Sequence, residues 1–417
     1  MSLTASQVEA LDALHAFVSV DGENQTSFFC LTGAAGTGKT SVIGTFCAEM
    51  QEKSKLTIGC CAPTHKAKVV LEEKIGGNIE CHTLQSLLAY RPVRQENGSM
   101  VFKTSRPLHD LPIHAYDVLI IDEASMVPAE MLAVIKAARY GGHVVFVGDV
   151  FQLPPVGEER SVVFEAALPS DCVRLTEVVR HDGGILDLVT KFRHGMEGKI
   201  TLSFDRSFFE GYDGVTVCGT KGELMQAAMA KMPAGRLLCY TNALVSRLNK
   251  VVRHKLFGPD ADEFVVGDHI CTAENTNDSI GTSLPSSLEM VVSAVFVEQK
   301  EVFGTELTLY NITTAEGVKM YVPVQASEVA YKTIESRIKA ACRRSRKWHM
   351  YAKLQTYCTK LTHCYALTIH KAQGSTYNDV FVPLDNLLIN RDRAEMLKLV
   401  YTALTRAAKS LTIGMGG

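Results

Sequence analysis

Phe28-Phe29-Cys30-Leu31-Thr32-Gly33-Ala34-Ala35-Gly36-Thr37-Gly38-Lys39-Thr40 joins an apolar run to a glycine-rich turn, and the fold class follows from that junction. Apolar residues run into a turn of the form G-x-x-x-x-G-K-[ST], and an amphipathic segment, Ser41 to Met50, follows. A strand feeding such a turn and then a helix lets successive backbone N–H groups curl around phosphates at a helix amino terminus. In that arrangement Gly33, Ala34, Ala35, Gly36, Thr37 and Gly38 form the cradle. Lys39 reaches the β- and γ-phosphates, and the Thr40 hydroxyl holds Mg²⁺. A glycine-rich turn with no ligand is the plain alternative.

Leu56 to Cys61, Asp117 to Ile121 and His143 to Val147 are likewise short apolar runs without alternation. Strands of a parallel sheet covered on both faces read this way, so the first 180 or so residues are expected to form an α/β layer fold. The run Val118-Leu119-Ile120-Ile121 ends in Asp122-Glu123-Ala124-Ser125. Acids at the carboxyl end of a neighbouring parallel strand face the crevice that the phosphate loop faces. Asp122 is then placed for Mg²⁺, and Glu123 for orienting and deprotonating an attacking water, which argues for hydrolysis. A cap on the following helix is the competing use of this pair. Further on, Val147-Gly148-Asp149-Val150-Phe151-Gln152-Leu153-Pro154-Pro155 carries one neutral amide, Gln152, suited to sensing a γ-phosphate.

A second set of apolar runs begins at Arg236 to Asn242 and resumes at Leu367 to His370, Asp379 to Val382 and Ser410 to Ile413. Two α/β domains follow, the second interrupted over residues 260–361. Within the interruption, Phe264 to Asp268, Val291 to Val297 and Glu306 to Ile312 are hairpin-like and suggest a small β-barrel. Val329 to Leu361 is helix-forming, with Lys332, Arg337, Lys339, Arg343, Arg344, Arg346, Lys347, Lys353 and Lys360 against the lone acid Glu335. A solvated helical face and a nucleic-acid surface both fit that pattern, and its Trp348 fits packing or DNA contact. A smaller insert, Tyr90 to Ser105, centres on Asn97-Gly98, a type I′ hairpin signal.

At 417 residues, with 46% hydrophobic and 21% charged residues, the chain reads as an ordinary folded protein of several domains. Its net charge of −2 creates no overall pull on a polyanion, so a nucleic-acid site has to be local. None of its 12 cysteines forms a C-x-x-C pair, and neither Cys60-Cys61 nor His363-Cys364 has the spacing that closes a zinc site. Buried thiols in a reducing compartment are expected. No run approaches the ~18 apolar residues of a membrane span, and the first residues lack a signal-peptide layout. The expectation is a cytoplasmic protein with no membrane partner, in the host cytoplasm if phage-encoded.

The ordered motifs resemble the superfamily 1 DNA helicases of the 5′-to-3′ branch, nearest to the RecD-like and Dda-type phage enzymes. Gly33 to Thr40 and Asp122 to Ser125 match the two nucleotide motifs. Ala62-Pro63-Thr64-His65-Lys66-Ala67 and His82-Thr83-Leu84 match DNA motifs of the first domain, and Gly148 to Pro155 matches the motif with the γ-phosphate sensor. Leu175 to Arg180, Tyr240-Thr241-Asn242, Thr368 to Thr376 and Val400-Tyr401-Thr402-Ala403-Leu404-Thr405-Arg406-Ala407 match the remaining motifs. The family commonly has Arg-Gln where this chain has Arg180-His181, and many relatives have Pro at the place of Val150.

This resemblance implies two RecA-like parallel-sheet domains. The first spans 1–181, with a hairpin pin inserted at 90–105; the second spans 182–260 and 362–417. An SH3-like β-barrel with a helical tower is inserted at 261–361. It implies ATP and Mg²⁺ as cofactors, adenine recognition by Gln7 just before the first helix, and nucleotide contacts from Gln373 and Gly374. Arg180, at the end of the first span, and Arg406, in the second domain, are implied to reach the γ-phosphate beside Lys39, Asp122, Glu123 and Gln152. Pro63, Thr64, His65, His82, Thr83, Asn242, Thr368 and His370 are implied to touch DNA, and Phe102 to stack at a fork. For His65 and His82 a structural histidine competes with that role. Single-stranded and forked DNA are the implied partners of a monomer, with a single-stranded DNA-binding protein as a further candidate. Two other readings stand beside the helicase. One is a nucleotide-gated single-stranded DNA-binding or recombination-loading protein whose ATPase only resets affinity. The other is an interaction subunit of a larger nuclease-helicase.

Overall fold

The computed structural model describes residues 3–19, 27–76, 79–94, 100–138, 141–177, 183–345 and 348–416, with the backbone alone for 92–94 and 100–102. The chain divides into two compact units, Met1–Leu224 with Ala372–Gly417, and Met225–Lys371.

In the first unit, β1 (Ser27–Gly33), β2 (Ile58–Ala62) and β3 (Cys81–Thr83) precede a hairpin of β4 (Tyr90–Arg94) and β5 (Met100–Thr104). Then follow β6 (Val118–Ile121), β7 (His143–Gly148), β8 (Cys172–Leu175) and β9 (Val215–Cys218). The order β3-β2-β6-β7-β1-β8 makes one sheet with every neighbouring pair parallel. Alternate residues enter opposite cores. Cys30, Leu119, Ile121, Val144 and Phe146 pack on one face, and Phe29, Leu31, Val118, Ile120, Val145 and Val147 on the other. Burial on both faces is why the runs lacked alternation. β7 stands between β1 and β6, so the acid-bearing strand is one place further from the phosphate loop than its reading as a neighbour implied.

The hairpin ladder pairs Tyr90 with Thr104 and Pro92 with Phe102; the Asn97-Gly98 turn lies outside the described residues.

The second unit opens with β10 (Arg236–Cys239), paired in parallel with a distant strand described below, and the helix Asn242–Phe257. Next come β11 (His269–Thr272), β12 (Thr276–Asn277), β13 (Ser283–Leu284), β14 (Glu289–Val302), β15 (Thr305–Thr314), β16 (Lys319–Pro323), the helices Gln325–Ser345 and His349–Gln355, then β17 (Leu361–His363) and β18 (Ala366–Thr368). The order β16-β15-β14-β11-β17 is antiparallel throughout the pairs described. The two helices cover its far end with Tyr331, Ile334, Ile338 and Leu354 against Val302, Leu307 and Leu309.

Three segments of this unit depart from the pattern expected of them. Phe264 to Asp268 is a turn, because the Asp268 carboxylate draws in Val265 N, Arg253 Nε and the Tyr365 hydroxyl. The helical segment ends at Gln355, and Leu361 starts β17. The strand ending at His370 stops at Thr368, and His370 lies in the short helix Ile369–Ala372. The basic stretch is partly paired: Lys332 with Glu328, Lys339 with Glu335 and Lys360 with Glu274.

The chain returns to the first unit with β19 (Tyr377–Pro383) and β20 (Ala407–Gly414); β20 is parallel to both β19 and β9. The helices Gly183–Met196 and Arg393–Leu404 pack on β20 and on each other. Cys172 is exposed and Cys358 half-buried, while the other cysteines are buried. Among the described residues no group of metal-ligating side chains is assembled, and no helix is long and apolar enough to cross a membrane.

Candidate active site

β1 ends at Gly33 and the helix Lys39–Lys53 begins six residues later. Gly36 and Gly38 take φ of 84° and 80°, which glycine adopts without a Cβ penalty, and so the chain reverses within the turn. Lys39 Nζ donates to Gly33 O at 2.8 Å and Ala34 O at 2.9 Å, folding its charge over the turn. A phosphate oxygen is a stronger acceptor than either carbonyl, so these contacts hold the ammonium where a triphosphate would take it over.

Thr37 is fully buried, its hydroxyl donating to Ala34 O. Its carbonyl accepts from Gln7 Nε2 at 2.9 Å. Gln7 does not precede the first helix. It is the third residue of Ala5–Val18, because Thr4 caps that helix and Gln7 Oε1 accepts from Thr4 N in a capping box.

At the end of β6, Asp122 Oδ1 accepts from Glu123 N at 2.8 Å. Glu123 sits at φ 49°, ψ 39°, a left-handed conformation costly for a residue with a Cβ. Burial, then the charge of Glu123, pushes the Asp122 carboxyl up to about 6, against a smaller pull from Lys39. Two carboxylates at close quarters, one of them reluctant to ionise, fit a divalent cation. A Cβ on Gly148 would lie 3.3 Å from Ala124 N and from Ser125 N, so the end of β7 abuts the acid turn.

Beyond Gly148, Asp149 (2% exposed) accepts from Phe151 N at 3.1 Å and from the Tyr401 hydroxyl at 2.6 Å. Leu153 N donates to Thr402 Oγ1 at 3.3 Å, and Leu153 O accepts from Gln373 Nε2 at 3.1 Å. Between them Gln152 is buried with no hydrogen-bond partner on Oε1; Ser125 Oγ and Ser375 Oγ share that condition. Arg406, also buried, donates from Nη1 to Ser375 O and from Nε to Thr402 O. Gly374, at φ 73°, brings its loop so near the helix His65–Ile75 that a Cβ would lie 3.1 Å from the Ala67 Cβ.

The register Ala62↔Thr83 brings Pro63-Thr64-His65 and His82-Thr83 to one carboxyl edge of the first sheet. Thr64 and Thr83 cap helices through Ala67 N and Ser86 N. Burial, then Lys68, lowers the His65 pKa, which favours the neutral ring. His82 Nε2 lies 2.7 Å from the Tyr116 hydroxyl and 3.3 Å from Glu80, so that ring is already engaged. In the second unit the register Cys239↔Thr368 sets Asn242 and His370 beyond one edge. Arg180, His181 and the Phe102 side chain lie outside the described residues. Tyr401, Thr402 and Asp149 were missed as working residues, since a pairing over 252 positions leaves no signature in local spacing.

A phosphate loop, an acid pair and a clasped amide loop at the carboxyl edge of a parallel sheet define a P-loop nucleotide-hydrolysing protein. Residues 2–213 match the AAA domain family, and 363–413 the UvrD-like helicase C-terminal domain. The ATP-dependent RecD2 DNA helicase of Deinococcus radiodurans is 36% identical over 90% of this chain and 45% of its own length. The ATP-dependent DNA helicase dda of Enterobacteria phage T4 is 27% identical over 58% of this chain and 56% of its own. The chain thus spans about half the length of these two relatives. The Bacteroides Pif1 helicase, in complex with ADP-AlF3 and ssDNA, shares the fold at a TM-score of 0.55, with 16% identity over 99% of this chain and 92% of that one. The chain belongs to the AAA domain family, as a superfamily 1 protein of the RecD/Pif1/Dda type.

Proposed function

We propose that this protein hydrolyses ATP to move 5′ to 3′ along single-stranded DNA and to unwind forked duplex. The observation that carries this reading is the clasp on the Gln152 loop. The loop that carries the amide best suited to sense a γ-phosphate is held, through the main chain of Leu153, by Gln373 and Thr402, residues of the very motifs that hold Arg406. An event at the phosphate would then pull on the helix Arg393–Leu404, which packs on β20, and such a pull is the requirement for a motor.

In this reading Gly33 to Gly38 and Lys39 cradle the phosphates, Gln7 props the loop and faces the base, and Gln373 and Gly374 close the nucleotide site. Thr40 and Asp122 would hold Mg²⁺, which supplies charge neutralisation on the phosphates. Glu123 orients and deprotonates the water, while Arg406 and Arg180 stabilise charge spreading on the transferred phosphoryl. Pro63, Thr64, His65, His82, Thr83, Asn242, Thr368 and His370 grip the strand through contacts blind to sequence. The domain scheme is 1–181, then 182–260 with 362–417, then 261–361. The hairpin serves as pin, the antiparallel sheet as SH3-like barrel, and the helices Gln325–Ser345 and His349–Gln355 as tower. The protein acts as a cytoplasmic monomer, with a single-stranded DNA-binding protein as a candidate partner.

Forked substrates with either a 5′ or a 3′ tail test this. Unwinding of the 5′-tailed fork alone, dependent on ATP and absent in Lys39→Ala, is expected. ATP-dependent binding without strand release would favour the nucleotide-gated binding protein instead.

A further inference from the structure

We propose that Asp149 and Tyr401 form a latch that transmits nucleotide state from the Gln152 loop to the helix ending before Arg406. This rests on the helicase reading above and assigns positioning roles to two residues that hold neither nucleotide nor DNA.

Both are buried, at 2% and 0% exposure, and the hydroxyl-to-carboxylate distance of 2.6 Å is that of a charge-assisted bond. Burial, then the charge of Asp149, holds the Tyr401 hydroxyl well above its ordinary pKa, so it stays a donor. Asp149 is three residues from Gln152 on one side of the loop. Tyr401 lies five residues before Arg406, in the last turn of the rigid helix Arg393–Leu404. Phe151 fixes the same junction: its ring meets Tyr401 edge-on at 6.3 Å, and the Arg193 guanidinium lies 5.4 Å from its centroid. With Leu153 tied to Thr402 and Gln373, Asp149, Phe151 and Leu153 are all anchored while the Oε1 of Gln152 stays open. A loop held this way cannot follow a displaced γ-phosphate without pulling on Tyr401. A packed junction of this kind shifts between discrete arrangements rather than stretching.

The test compares wild type, Tyr401→Phe, Asp149→Asn and the double variant. The readouts are ATPase with and without oligo-dT, ATP KM, and fluorescein-oligo-dT affinity by anisotropy. Tyr401→Phe removes the donor with almost no change of shape. It should lower DNA-stimulated kcat about tenfold or more, while KM and oligo-dT affinity stay within about twofold. Asp149→Asn keeps an oxygen for the hydroxyl and should lose less. The double variant should match Tyr401→Phe, as expected of partners acting through one bond. Stimulation retained in Tyr401→Phe, losses that add in the double variant, or a parallel rise in KM with a lowered melting temperature would each overturn the latch. Wild type that shows no DNA stimulation would instead remove the helicase reading, and the latch with it.

Discussion

Gln7, in the first turn of the first helix, donates its side-chain amide to the main-chain carbonyl of Thr37 inside the phosphate loop, at 2.9 Å. The same amide accepts from Thr4 N, so one side chain both closes a helix end and props the cradle. Gln7→Ala removes that prop whichever base is bound. The KM for ATP and for GTP should rise together, by about tenfold for one buried hydrogen bond lost. Steady-state kinetics with both nucleotides checks this, and a rise confined to ATP would show that the amide acts on the base alone.

The Asp122 carboxyl, pushed up to about 6 by burial and by Glu123, binds its proton more tightly folded than unfolded. Its contribution therefore favours the folded protein below about pH 4, fades as pH rises toward 6, and is gone above that. Without metal, the melting temperature of wild type should fall relative to Asp122→Asn across that window. In its proposed role as a Mg²⁺ ligand Asp122 binds the metal ionised, so adding Mg²⁺ near pH 6 should release a proton from wild type and not from Asp122→Asn. Scanning calorimetry over pH and a proton-release titration measure the two halves.

Much of this architecture was legible because buried parallel strands leave long apolar runs, as Val118 to Ile121 does, and because Gly36 and Gly38 mark a turn that needs positive φ. Strand order was not, since the crossover through the helix Ala129–Ala137 that sets β7 between β6 and β1 leaves no local pattern. Phe264 to Asp268 misled for a related reason. Its apolar residues suit a strand, but Asp268 is buried with Arg253 and Tyr365, and satisfying that carboxylate bends the chain. At the site, the motif residues were visible one by one. What the sequence could not show is who holds them: Gln7 on Thr37, Gln373 on Leu153, and Tyr401 on Asp149.

The hairpin of β4 and β5 pairs Phe102 with Pro92. If it splits the duplex, Phe102→Ala should slow strand separation on a 5′-tailed fork several-fold and leave ATPase on oligo-dT near wild type, because base stacking is worth about 1 to 3 kcal/mol. Parallel losses in both assays would remove the pin role.

Arg406 spends its guanidinium on main-chain oxygens of Ser375 and Thr402 and on the Thr405 hydroxyl, beside the clasp that holds Gln152. A lysine at this place keeps the charge but loses the planar fork that makes these contacts at once, so its ammonium is neither aimed nor held. In the proposed finger role the guanidinium acts on charge that appears only as the phosphoryl transfers, so Arg406→Lys should bind ATP within about threefold of wild type yet lose roughly 10³-fold or more in kcat. Equilibrium nucleotide binding paired with single-turnover hydrolysis separates the two quantities. An equal loss of binding and rate would mean that Arg406 supports the ground state, which would transfer the finger role to Arg180 alone.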